Sequence, residues 1–145
     1  MTRRLGPWSR PTPRRVALAV VGVHAILLIG LLAPARFDPS ALVRAGRAHV
    51  DEALAPESLR VVRDGDGYDG QYNFRLAVDP FSFDETVAGV TLDLPAYRHQ
   101  RVLYPLLVWI ASFGATALVP LALPLVNLVA LAVLAYAAAS LAERS

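Results

Sequence analysis

The chain reads as a mainly α-helical, integral-membrane protein in which two transmembrane helices flank an extracytoplasmic loop carrying short amphipathic and juxtamembrane helices. Three observations predict this class. Of its 145 residues 55% are hydrophobic and only 18% charged, too apolar for an ordinary soluble domain of this size. Two long runs, Val16 to Pro34 and Val102 to Ala142, lack any formal charge. Between them lies a polar, mildly acidic stretch.

Arg3, Arg4, Arg10, Arg14 and Arg15 make residues 1–15 a basic leader, read as cytoplasmic because arginine clusters stay on that side. Residues 16–34 are the first transmembrane helix, long enough for about 30 Å of hydrocarbon. Ala33-Pro34-Ala35 also fits a small-x-small cleavage site, so a signal peptide competes with an uncleaved anchor. The length of the apolar run and the proline inside the site favour the anchor. His24 lies in mid-span, either as a functional group or as a neutral imidazole bonded to a neighbouring helix. Residues 35–101 form the extracytoplasmic loop. Within it Ser40 to Leu54 is predicted as an amphipathic helix, with Ser40 as cap and Gly46 as a weak point on its apolar face.

Residues 102–117 are predicted as a juxtamembrane or re-entrant helix and 118–142 as a second span, leaving 143–145 inside. Gly114, Pro120 and Pro124 break the long uncharged run and disfavour two full spans there. Asn127 requires a partner helix, because an unpaired amide is costly in lipid. All basic residues are Arg, the formal charge is +2 and there is no Cys. That balance argues against nucleic acid as a partner, and disulfides and thiolate metal sites are excluded.

The chemistry concentrates in Gly65 to Pro80, GDGYDGQYNFRLAVDP. Asp64, Asp66 and Asp69 fall within six positions, separated by glycines that free the backbone to adopt positive φ. Such a loop suits a divalent cation, a phosphate or a sugar; a surface turn feeding a helix is the plainer alternative. Asp69 is expected as the N-cap of that helix, which Asp79-Pro80 ends. The spacing does not complete an EF-hand, since Arg75 stands at its twelfth position, and metal binding stays open.

Tyr68-Asp69-Gly70-Gln71-Tyr72-Asn73-Phe74-Arg75-Leu76-Ala77, followed by Leu103-Tyr104-Pro105-Leu106-Leu107 and then Asn127, resembles the amino-terminal part of GT-C superfamily integral-membrane glycosyltransferases. The likeness is to their PIG-V-like and bacterial cell-surface glycopolymer branches, and it covers about Arg15 to Arg144. It implies a plasma-membrane module that moves a sugar from a polyprenyl-phosphate donor to an extracytoplasmic glycan or lipid. Asp69 would be the catalytic base, with Tyr68, Tyr72, Arg98, His99, Arg101 and Tyr104 around the substrate and Asp64, Asp66 and Asp69 as candidate metal ligands. Arg98 and Arg101 suit a lipid phosphate at headgroup depth, and interfacial anchoring is their plainer role. Such enzymes use many spans, so the expectation is a fragment or split part of a longer enzyme, inactive alone, with the remaining spans and membrane lipid as partners. The alternative is a non-catalytic membrane-anchored binding or accessory subunit. Asn73, where the family pattern has an aromatic residue, is a smaller departure.

Overall fold

A computed structural model describes residues 11–63 and 65–144. It is mainly helical: α1 (Pro13–Leu32), α2 (Asp69–Val78), α3 (Pro95–His99), α4 (Leu103–Ala111) and α5 (Val119–Arg144), with short strands β1 (Ala45–Gly46), β2 (Val61–Val62), β3 (Thr86–Val87) and β4 (Val90–Thr91). Two segments are long and apolar enough to cross a membrane, Pro13–Ala35 with 23 residues and Thr116–Arg144 with 29. The chain divides into two compact units: the stretch up to Leu27 with Leu128 onward, and Leu28 to Asn127.

No residue of α1 is buried, and Leu18 and Ile26 turn outward. His24 closes its Nδ1 on the Val20 carbonyl at 2.8 Å, one turn back in the same helix.

The second unit is organised on α2. Gln71, Tyr72, Phe74, Arg75, Leu76 and Ala77 are all buried there. Phe74 and Ala77 join Val43, Ala45, Val50, Leu59, Val90, Val108, Val119, Ala122 and Leu123 in one core. Helix α2 packs mainly on α4, then on β4, and to an equal lesser extent on β1 and β3. Arg75 is fully buried and donates to the carbonyls of Ser82 (3.2 Å) and Asp84, which pins the chain that leaves α2. Burial lowers the Arg75 pKa, against the pull of Asp79 and Asp84.

The amphipathic helix expected over Ser40 to Leu54 does not form. Asp38 Oδ1 accepts the Ser40 N–H at 2.9 Å and starts only a 3₁₀ turn, Pro39–Leu42. Arg44 then turns left-handed (φ 49°), and β1 pairs in parallel with β2, Ala45 opposite Val61 and Gly46 opposite Val62. Gly46 is the reason: it lies directly against the backbone of Gly67, so tertiary packing overrides the local helical pattern. The stretch Phe81 to Leu94 contains the antiparallel hairpin β3–β4. Ala88 (φ 50°) and Gly89 (φ 74°) form its two-residue turn, matching the left-handed pair a tight hairpin demands.

Helix α4 falls within the predicted juxtamembrane segment, and α5 begins inside the predicted span and runs two residues past its predicted end, to Arg144. Asn127 finds its partner in α4: its Nδ2 donates to the Tyr104 hydroxyl at 3.0 Å, and that hydroxyl donates to the Leu123 carbonyl at 2.9 Å.

Candidate functional site

The Asp/Gly loop is a fixed object. Buried Gln71 reaches back from the first turn of α2, accepting the Gly46 N–H at Oε1 (2.9 Å) and donating through Nε2 to the Asp66 carbonyl (2.9 Å). The Tyr68 N–H donates to the Arg44 carbonyl at 3.1 Å, and Ala45 bridges Gly67. An amide side chain with both ends satisfied inside the fold acts as a staple. Gly67 (φ 77°) supplies the backbone conformation that the close approach needs.

This arrangement delivers Asp69 to the start of α2. Tyr68, in extended conformation, occupies the N-cap position expected for Asp69, which is instead the first helical residue. Its carboxylate does not turn back to cap the helix, because Arg98 takes it: Arg98 Nη1 donates to Asp69 Oδ1 at 3.0 Å. The positive end of the helix still favours the charge.

Arg98 is the hub. Its Nε and Nη2 donate to Asp93 Oδ1 and Oδ2, both at 2.8 Å, in a two-pronged clamp. Its guanidinium lies over the Tyr72 ring, 4.0 Å from the centroid. Burial, with Asp93 second, raises the Tyr72 pKa. The Arg98 hydrogen bonds, assisted by the Leu94 N–H, hold the Asp93 carboxyl at about 2, and Asp93 in turn raises the Arg98 pKa further. The two acids differ in role: the Asp93 side chain is 29% exposed, Asp69 67% and Arg98 only 12%. Asp93 fixes the cation, and the cation fixes one oxygen of an accessible carboxylate.

Arg98→Met should therefore cost about 1–3 kcal/mol at neutral pH, because it strands the Asp93 carboxylate, and adding Asp93→Asn should recover most of that loss. The folded-state pKa of Asp93 lies below its unfolded value, so its contribution is complete above about pH 4 and disappears as pH falls through about 2. Thermal midpoints in detergent between pH 5 and pH 2 check this. Wild type should lose stability across the window, and Arg98→Met should lose less.

The other residues singled out in the sequence fall as follows. His99 lies between the carbonyls of Pro95 (Nδ1, 2.8 Å) and Ser82 (Nε2, 3.1 Å) and stacks on Phe83, tying α3 to the segment after α2. Arg101 meets the Tyr97 hydroxyl and ring and, among the described residues, has no carboxylate partner. Tyr104 serves the α4–α5 contact described above. Tyr68 is exposed, with the Arg44 guanidinium 4.8 Å from its ring centroid. Asp66 lines an open cleft with Arg44 and Tyr68. Asp64 lies outside the described residues, and among those described no three His, Cys, Asp or Glu side chains converge to hold a metal ion.

Asp93, Gln71 and Arg44 were not foreseen as site residues. Asp93 stands five positions before Arg98 with Pro95 between them, a local turn signal that could have paired the two. Nothing local in the sequence announces Gln71 or Arg44, whose roles rest on contacts with distant chain. No family model, curated protein or solved structure matches the chain.

Proposed function

We propose that the polar unit supplies the acceptor-activating carboxylate of a membrane glycosyltransferase that uses a polyprenyl-phosphate sugar, acting with further spans that complete the lipid-donor channel. The observation that carries this reading is Asp69: an exposed carboxylate with Oδ1 held by a clamped arginine. Its Oδ2 makes no hydrogen bond among the described residues and is open to an incoming hydroxyl. In the reaction Asp69 takes the acceptor hydroxyl proton, the acceptor oxygen forms a bond to the sugar's anomeric carbon, and the bond from that carbon to the phosphate oxygen breaks. The leaving phosphate needs a cation. Arg101 suits that role better than Arg98, whose Nε, Nη1 and Nη2 are already committed to Asp93 and Asp69. A non-catalytic anchored subunit would use the same Asp69–Arg98 pair only as structure. Transfer of labelled hexose from a prenyl-phosphate donor in host membranes separates the two: Asp69→Asn should abolish it, and the exposed Glu57→Gln should not.

The same reading places the amino terminus in the cytoplasm and the polar unit outside the cell membrane. The chain has no cysteine, so single-cysteine variants report topology directly. In intact cells a membrane-impermeant maleimide should label Glu57→Cys, and label Thr12→Cys only after permeabilisation. The opposite pattern would overturn the orientation.

A further inference from the structure

We infer that the cleft lined by Arg44, Val62, Gly65, Asp66, Gly67 and Tyr68 binds the hydroxyl groups of a pyranose ring. This deepens the glycosyl-transfer reading and takes its biological meaning from it, while the binding itself is measured without any transfer.

The open cleft offers about 370 Å³, within the range of small-molecule sites. Its charges select the ligand. Arg44 can only donate hydrogen bonds and the Asp66 carboxylate can only accept them. Both face one cleft, yet among the described residues neither forms an ion pair. An anion entering here meets Asp66 and a cation meets Arg44. A neutral polyol meets no like charge, and each of its hydroxyls both donates and accepts, so it satisfies the two groups together. The Tyr68 ring, 63% exposed and touched by Arg44 at 4.8 Å, adds an apolar surface for the C–H face of a sugar.

The walls are set before a ligand arrives. Gln71 and β1 hold the Asp66–Tyr68 backbone from behind. Arg44 is kept left-handed at φ 49°, a costly conformation for a residue other than glycine and one that the surrounding contacts must enforce. A rigid cleft loses little freedom on binding. Tyr68, the last residue of the lining, directly precedes Asp69 in the chain.

The ring could belong to the donor sugar or to the end of an acceptor glycan, and the test distinguishes them. The full chain in detergent micelles is titrated with methyl glucoside, galactoside and mannoside, and with a short prenyl-phosphate hexose, by calorimetry and saturation-transfer NMR. At least one hexose should bind saturably at millimolar concentration. Arg44→Ala and Asp66→Asn should each weaken it about tenfold or more, the loss expected for a hydrogen bond to a charged group. Arg44→Lys, which keeps the charge and the fold, should fall between. Glu57→Gln should leave binding within about twofold, since it lies outside the cleft lining. Tighter binding of the prenyl-phosphate compound, weakened selectively by Arg101→Ala, assigns the cleft to the donor; equal binding assigns it to the acceptor. No saturable binding of any probe, or binding unmoved by the Arg44 and Asp66 variants, overturns the inference. If that happens while Asp69→Asn still abolishes transfer, the cleft fails and the function stands.

Discussion

Gly46→Ala should unfold or severely loosen the polar unit. A Cβ at Gly46 would lie 2.2 Å from the Gly67 nitrogen, 2.4 Å from the Asp66 carbonyl carbon and 2.6 Å from the Gly65 carbonyl oxygen. All three are backbone atoms, so no side-chain rotation relieves the overlap. Either β1 moves away from the loop or the loop lifts off β1, and both break the two Gln71 hydrogen bonds that fix it. We expect a cost of about 3 kcal/mol or more, read as a thermal midpoint lowered by about 10 °C or more in detergent. Gly22→Ala is the control, because a Cβ there meets nothing within 4 Å and alanine favours the helix. Equal midpoints for the two variants would show that β1 does not hold the loop.

Asp69→Asn should leave the fold intact and lower glycosyl transfer by about 10²–10⁴-fold, the usual range for loss of a positioned base. Asparagine keeps the shape and can still accept from Arg98 at its side-chain oxygen, so the clamp by Asp93 survives. What disappears is the capacity to take a proton. The effect should fall on kcat more than on KM, because the lost interaction acts in the transition state. A fall in rate matched by an equal fall in thermal midpoint would instead mark Asp69 as structural.

The sequence made the helices legible where they form on an unbroken apolar run. The charge-free stretches found α1, α4 and α5, and Asp79-Pro80 marked the end of α2. The Asp/Gly stretch also pointed to positive-φ glycines ahead of a helix, and Gly65 and Gly67 adopt that conformation before α2. Long-range pairing was not legible. Ser40 to Leu54 carries a helical pattern of apolar residues, but Gly46 is required against Gly67, twenty-one positions later, and that contact decides the local structure. Strands of two residues leave no periodicity to read, as β1 and β2 illustrate. The candidate site was half visible for the same reason. Asp69, Tyr72 and Arg98 stood out by type and position, and the structure brings them together. Asp93 is an ordinary loop acid until α3 folds Arg98 back onto it.

The most direct measurement is the hexose content of the surface glycans from host cells whose single copy of this chain carries Asp69→Asn, beside cells carrying Glu57→Gln and cells lacking the chain. The account predicts that Asp69→Asn matches the deletion, with unused prenyl-phosphate sugar accumulating in the membrane, while Glu57→Gln matches wild type. Unchanged glycans in the Asp69→Asn cells, with the protein present and folded at wild-type level, would contradict it.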